Sequence, residues 1–357
     1  MVAELTVNLG QRSYRIICGP GLLEQAGVLL AELKLSRRCL IVTNPVVGPL
    51  YAPRVEESLA GAGFNPKVVT VPEGEEAKTL AVAARLYDAA LEAGLDRGSA
   101  VIALGGGVVG DVAGFVAATL LRGVPFIQLP TTLLAQVDAS VGGKVAVNHP
   151  LGKNLIGAFY QPRLVAADLA TLRTLPPREV RAGLAEVIKY GVIAEADFFA
   201  YLENNLEAAL NLDPAVLTEI VYRSCRIKAR VVEADERESG LRAILNFGHT
   251  VGHALEALTG FKELHHGEGV AIGMVAASRL AQRRGWLQAG EVGRLIDLLK
   301  RAGLPVEMPS LDRGALLTAI GRDKKIKDGT LHMVLPRSIG KVEVVPVGLK
   351  ELEAVLA

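Results

Sequence analysis

The chain has 357 residues, of which 50% are hydrophobic and 22% charged, with a formal net charge of +1. That length and apolar content suit a globular protein of two domains, each with its own core. The balanced charge, with no basic run interleaved with aromatics, argues against nucleic-acid binding, and no apolar stretch reaches the ~18 residues that span a bilayer.

Cys18, Cys39 and Cys225 are odd in number, far apart and form no Cys-x-x-Cys pair. They fit a reducing compartment and neither a disulfide framework nor a thiolate metal cage. The N-terminus carries Glu4 and alternates, unlike a signal peptide, so a cytoplasmic location is expected.

Residues 3–9 and 12–18 alternate around Gly10-Gln11 and predict a hairpin. A helical segment near 20–34 precedes 38–44, a short apolar run of the kind buried in a parallel sheet. A helix over 51–62, a strand over 67–71 and a helix over 79–93 lead to the strand 99–104. Strands alternating with helices at this spacing predict a doubly wound, Rossmann-like α/β domain with a mostly parallel sheet.

The strand 99–104 runs straight into Gly105-Gly106-Gly107-Val108-Val109-Gly110-Asp111, which opens a helix over 112–121. A strand, a glycine turn and a helix N-terminus present unpaired N–H groups and a positive dipole end to a phosphate. The spacing is not the G-x-G-x-x-G of the dinucleotide fingerprint, and a tight structural turn is the alternative. Downstream, Thr131 and Thr132 offer hydroxyls to a ribose or a nicotinamide amide. Gly143-Lys144 and Gly152-Lys153-Asn154 place ammonium groups after glycines, as a site for an anionic substrate would, although turn glycines beside solvated lysines read the same way.

After Pro176-Pro177 the pattern becomes helical, over 178–192, 195–210, 214–235, 246–259, 267–285, 290–302 and 312–321, interrupted by strands at 331–335 and 342–346. The reading is an α/β domain over 1–172 and a mainly α-helical domain over 173–357, with the active site in the cleft between them. Glu186 and Lys189, three apart, suggest by themselves an ordinary surface ion pair. Lys228, Arg242 and Asn246 precede the histidines, on what reads equally as a solvated helix face. Four of the six histidines fall within 18 residues, as His249, His253, His265 and His266. Such clustering points to a metal site, and local spacing pairs His249 with His253 at i, i+4.

With these motifs the chain resembles the 3-dehydroquinate synthase family. The likeness covers PEGEEAK at 72–78, LGGGVVGDVAGF at 104–115, the segment 128–162, LAEVIKYG at 184–191, LNFGHTVGHALE at 245–256, HHGEGVAIGM at 265–274 and DKK at 323–325. It implies that Glu186, His249 and His266 hold one divalent metal, zinc or cobalt, and that His253 is a catalytic neighbour. It further implies NAD contacts at Asn44, Glu75, Lys78, Gly106, Gly107, Val108, Val109, Gly110, Asp111, Thr131, Thr132, Lys144, Lys153 and the turn Thr171, Leu172, Arg173, Thr174. Substrate groups would meet Asp138, Lys144, Lys153, Asn154, Lys189, Lys228, Arg242, Asn246 and a lysine of 323–325, with Arg122 reaching a neighbouring subunit's site in a homodimer. Val145 and Gly269 depart from the family pattern, where Thr and a small side chain such as Ala are expected.

The implied reaction converts 3-deoxy-D-arabino-heptulosonate 7-phosphate to 3-dehydroquinate and phosphate, in the shikimate pathway of aromatic amino acid biosynthesis. It proceeds by transient oxidation with NAD, phosphate elimination, reduction and aldol closure. A sister sugar-phosphate cyclase would keep the NAD and metal motifs. A metal-dependent polyol dehydrogenase would carry Asp at Glu186 and lack the 143–154 segment.

Overall fold

The computed structural model describes residues 1–260, 263–321, 326–327 and 330–356. Asp323, Lys324 and Lys325, expected to supply a substrate-binding lysine, lie outside them. The chain divides into two compact units: Met1–Leu175 with Leu217–Glu233, and Pro176–Val216 with Ala234–Ala357.

The strands of the first unit are β1 (Ala3–Val7), β2 (Tyr14–Gly19), β3 (Arg38–Thr43), β4 (Asn65–Thr70), β5 (Ala100–Gly105), β6 (Phe126–Pro130), β7 (Lys144–His149), β8 (Gly152–Phe159) and β9 (Leu164–Asp168). Seven of them form one sheet in the order β1-β2-β9-β6-β5-β3-β4. All its pairings are parallel except the expected β1–β2 hairpin at the edge. Side chains alternate across a strand, so β3 and β5 feed two cores. Cys39, Ile41, Ile102 and Leu104 pack with the helices α1 (Ala26–Ala31) and α2 (Val47–Gly61). Leu40, Val42, Val101 and Ala103 pack with α3 (Leu80–Glu92) and α4 (Gly107–Thr119). Helix α2 starts four residues before the expected 51, because Asn44 Oδ1 accepts the N–H groups of Val46 and Val47 and starts the helix ahead of Pro49 and Pro53.

The segment 144–159, read from the sequence as glycines and lysines, is an antiparallel hairpin of β7 and β8. Val145 is buried against Gly114 of α4, where an added Cβ would lie 2.3 Å from Val145 Cγ1. The hydrophobic Val145 therefore packs where the family pattern leads one to expect Thr.

The second unit begins with α5 (Pro177–Ala194) and α6 (Ala196–Leu210). Next comes α7 (Pro214–Ala234), most of which belongs to the first unit. The sequence reading assigns all of 173–357 to one domain, whereas Leu217–Glu233 groups with the first unit, which places Lys228 with that unit's residues. The cause is the partner of its buried face: Cys225 donates to the Gln136 carbonyl, Lys228 Nζ to Asp138, and Glu233 accepts from Asn8. Then follow α8 (His249–Leu258), α9 (His266–Arg283), α10 (Ala289–Arg301), α11 (Arg313–Ile320), the antiparallel sheet β10 (Ile326–Lys327), β11 (Thr330–Ser338) and β12 (Lys341–Val347), and α12 (Leu349–Glu353). Helices α5 to α11 lie within a few residues of expectation, and α12 has no counterpart in the sequence reading.

Helix α9 meets both α5 and the turn before α8 backbone to backbone. A Cβ added at Gly267 would lie 2.0 Å from the Ala182 carbonyl oxygen, and one at Gly273 1.9 Å from that of Gly248. Only glycine permits either approach. Among the described residues no helix is long and apolar enough to cross a membrane. The three cysteines are free and buried.

Candidate active site

In the first unit, β5 ends at Gly105 and α4 begins at Gly107 with no side chain capping it. The N–H of Gly110 already bonds the Gly106 carbonyl, so the N–H groups of the preceding turn are those left for a ligand. The hydroxyls of Thr43 and Thr131, at the carboxyl ends of β3 and β6, are buried with no hydrogen-bond partner among the described residues. Open parallel sheets bind ligands at this end. Uncapped amides beside two orphaned hydroxyls fit a dinucleotide with its pyrophosphate over the turn. Thr132 differs from Thr131, since its hydroxyl accepts from Ala135 N–H.

Below this turn lies a polar cluster. Lys78 is buried; its Nζ donates to Asp111 Oδ2 at 2.7 Å and to Asn154 Oδ1. Burial pushes the Asp111 carboxyl up, and Lys78 pulls it back. Glu75 lies 3.7 Å from Lys78 and 3.8 Å from Lys153. Lys144 stands exposed at the start of β7. Lys228 donates to the Asp138 carbonyl at 2.6 Å and carboxylate at 2.7 Å, holding the π-helical turn Ala135–Ala139 that precedes Lys144.

The other expected first-unit residues divide into two sets. Thr171 and Leu172 are buried, Thr171 being tied to Asp168, Gln136 and Tyr51, while Arg173 and Thr174 face outward. Asn44 commits its amide oxygen to the start of α2. Val109 packs into the core and Val108 against its edge, so those two offer backbone alone. Arg122 is exposed on a turn where it and Leu121 adopt φ of 69° and 50°, consecutive left-handed non-glycine conformations.

The second unit brings Glu186, His249 and His266 together, with their ligand atoms within 4.8 Å of one another. Glu186 is fully buried on α5 and forms an ion pair with Lys189, itself 1% exposed. The surface pair that this fragment suggests is thus a buried one, since α9 presses close enough to exclude water. His249 and His266 each place Nε2 3.5 Å from Glu186 Oε1. Their other ring nitrogens are engaged: His249 Nδ1 with the Phe247 carbonyl at 3.1 Å, His266 Nδ1 with Glu256 Oε1 at 2.8 Å. Donation of both Nδ1–H groups leaves both Nε2 lone pairs aimed at the carboxylate. One carboxylate oxygen and two so oriented imidazoles suit a divalent metal such as zinc or cobalt. Burial lowers the His266 pKa, but its interactions with the accepting carboxylates of Glu186 and Glu256 outweigh it and raise it well above the ordinary value, a field that favours a cation.

His253 shares its helix face with His249, their ring centroids 5.2 Å apart. It joins a second grouping, with Glu256 and His266, in which His266 and Glu256 are already hydrogen-bonded to each other. Neither grouping contains both His249 and His253, so the i, i+4 pairing is not itself a donor set among the described residues, and His253 borders the first grouping.

Sequence reading missed several supports. Arg178 forms a two-pronged ion pair with Glu268 at 2.7 and 2.8 Å, and His265 lies 3.0 Å from Glu179, tying the starts of α5 and α9. The His265–Glu268 capping box was readable from its spacing; Arg178 and Glu256 gave no local signal. Arg242 is buried and donates to the Glu236 carbonyl, and Asn246 donates to Glu238 at 3.2 Å. Asp235 shapes their turn by accepting from Ser239, Gly240 and Arg242 N–H. Burial opposes the Asp235 charge, but those N–H groups hold its carboxyl well below the usual carboxylate range. The stability it adds is present in full above the ordinary value of 3.8 and lost as pH falls below it. Asp235→Asn is therefore expected to cost about 2 kcal/mol near neutrality. Melting curves should show that difference narrowing below the ordinary value.

Fold and site together define a class of two-unit proteins with a dinucleotide-binding sheet and a helical metal-binding part. Its solved members include a 2-deoxy-scyllo-inosose synthase complexed with carbaglucose-6-phosphate, NAD+ and Co2+, 28% identical, TM-score 0.91, covering 99% of each chain. They also include the 2-epi-5-epi-valiolone synthase of Streptomyces hygroscopicus subsp. jinggangensis 5008 with NAD+ and Zn2+ bound, 33% identical, TM-score 0.88, covering 96% of this chain and 95% of that one. A probable glycerol dehydrogenase from Sinorhizobium meliloti 1021 shares the fold at TM-score 0.69 and 18% identity. Within the class, family models for the 3-dehydroquinate synthase N-terminal and C-terminal regions match residues 68–182 and 183–326. The 3-dehydroquinate synthase of Pelotomaculum thermopropionicum is 58% identical over 95% of this chain and 92% of its own; that of Geobacter metallireducens is 55% identical over 99% and 97%. The chain belongs to the 3-dehydroquinate synthase family.

Proposed function

We propose that the chain is a 3-dehydroquinate synthase, a carbon-oxygen lyase that converts 3-deoxy-D-arabino-heptulosonate 7-phosphate to 3-dehydroquinate and phosphate. The observation that carries this reading is the 58% identity over 95% of the chain to a named synthase, against 33% and 28% to cyclases making other rings.

NAD supplies a reversible hydride acceptor when bound, and the divalent metal a Lewis acid for the substrate's oxygens. Gly106, Gly107, Asp111, Thr131, Glu75 and Lys78 would hold the dinucleotide. Glu186, His249 and His266 would hold the metal, with Glu256 and the Phe247 carbonyl fixing the two imidazoles. The substrate carries a carboxylate and a phosphate, and Lys144, Lys153, Asn154, Lys228, Arg242 and Asn246 supply cationic and amide donors for both. Buried Lys189, against Glu186, would present an ammonium to an oxygen beside the metal. His253 at the border is suited to pass a proton during ring opening and closure. Free, buried thiols support a cytoplasmic setting.

Purified protein given NAD+, a divalent metal and the heptulosonate phosphate is expected to release phosphate with no net NADH. NADH accumulating in step with turnover would instead mark a polyol dehydrogenase, and no phosphate release would refute the synthase.

We further infer a homodimer, supported by exposed Arg122 on its strained turn, which the family resemblance assigns to a neighbouring subunit's site. Mixing the inactive variants Arg122→Ala and Glu186→Gln is expected to restore activity if subunits exchange. No recovery in mixed dimers verified by mass would mean that Arg122 serves its own chain.

A further inference from the structure

Asn148 sits at the irregularity of the β7–β8 hairpin. The ladder pairs Val147 with Ile156 but His149 with Gly152, so the register slips across Asn148. Bulges of this kind turn a residue out of the ladder toward another task. Two of the three hydrogen-bonding positions used here by Asn148 turn away from the ladder, and the third reaches Asn154 on β8 within the slipped segment. Its N–H donates to the Lys78 carbonyl at 2.8 Å, its Nδ2 to Glu75 Oε1 at 2.7 Å, and its Oδ1 accepts the Asn154 N–H at 2.9 Å.

The residue therefore spans two groups of different purpose. On one side is the turn 75–78, assigned above to the dinucleotide. On the other are Lys153 and Asn154, assigned to the substrate's anionic group. Asn154 is held at φ 56°, a conformation that asparagine tolerates better than most residues, and its amide oxygen rests on Lys78 Nζ. Hydrophobic packing does not account for this choice, because the buried residues of β7 are Val145 and Val147, both ahead of Asn148, which is itself only partly buried. The hairpin tip, His149 to Leu151, is exposed.

We propose that Asn148 is a positioning residue that couples the dinucleotide turn to the substrate hairpin, so that filling the NAD site tightens the hold of Lys153 and Asn154 on the substrate's anion. This rests on the proposed function. A ligand that immobilises Glu75 and Lys78 also immobilises, through Asn148, the segment that the second ligand would otherwise have to order. Linkage makes the effect reciprocal: each ligand tightens the other by the same factor.

The test is calorimetric titration of the full-length, metal-loaded chain with NAD+ and with a phosphonate analogue of the heptulosonate phosphate, each alone and in the presence of the other. The unaltered chain is expected to show mutual tightening of about 10-fold. In Asn148→Ala the factor is expected to fall several-fold, with the direct Lys78–Asn154 contact left in place, whereas a residue serving only stability would lower the melting temperature and leave the factor alone. Asn148→Asp keeps the acceptor for Asn154 but faces Glu75 with a second carboxylate. It is likewise expected to weaken the coupling, and it covers the case in which the alanine variant fails to fold. Retention of the factor in a folded variant, or its absence from the unaltered chain, overturns the inference while phosphate release keeps the proposed function standing. A chain that neither binds NAD+ nor releases phosphate overturns both.

Discussion

Glu186→Gln is expected to yield a folded protein that no longer retains its metal and has lost roughly 10³-fold or more in kcat/KM. The substitution is isosteric, so packing around a fully buried residue on α5 is unchanged. It removes the one anionic donor of the three, leaving two neutral imidazoles, and a divalent cation loses the carboxylate that offsets its desolvation. Lys189 also loses its buried counter-charge, so a lower melting temperature with unaltered far-UV circular dichroism is expected. Glu256→Gln should act more gently. It weakens the acceptor that orients His266, and metal affinity measured by chelator competition is expected to drop by about 10- to 100-fold. Full metal content in Glu186→Gln, counted by atomic emission, would remove Glu186 from the ligand set.

Lys228→Met is expected to cost about 3 to 5 kcal/mol of stability. It should also lower kcat/KM by at least ~10²-fold. Lys228 is nearly buried, and its ammonium holds both the carbonyl and the carboxylate of Asp138. Methionine keeps the aliphatic stem but leaves that carboxylate without its cation. Combining Lys228→Met with Asp138→Asn separates the two losses. The double variant carries no stranded charge and should regain much of the stability, yet without the ammonium it should release phosphate more slowly than Asp138→Asn alone. Recovery of both together would show that Lys228 serves the turn alone.

The two lysine sites illustrate what the sequence could and could not reveal. Helical spacing marked 214–235 as a helix and the family resemblance named Lys228 as a candidate, but spacing does not say which core receives the helix. The helix was accordingly grouped with its neighbours in the chain, whereas Leu217–Glu233 packs with the first unit. By spacing alone Lys189 was one half of an i, i+3 pair, and whether such a pair is wet or buried depends on α9, some eighty residues later. The histidines show the same limit. Local geometry could link only His249 with His253, because the approach of His266 comes from a different helix. The elements themselves were largely legible: glycine, proline and alternation located the β1–β2 hairpin and β5, and apolar periodicity located α5 to α11. The β7–β8 hairpin was not, because Gly142, Gly143 and Gly152 resemble loop punctuation and the alternating Val145 and Val147 were too short a run to outweigh them.

The contacts of Gly267 and Gly273 with opposing carbonyl oxygens turn α9 into a gauge block. Side-chain interfaces can absorb an error of an ångström by changing rotamers; backbone-on-backbone contacts have no such slack. The spacing of Glu186, His249 and His266 is therefore set by main-chain thickness, and it stays the same however the surrounding side chains drift. Tolerance to mutation should be unevenly spread in consequence: the surrounding apolar residues can be exchanged with little effect on metal content, whereas one methyl group added at position 267 or 273 would misplace a donor that it never touches.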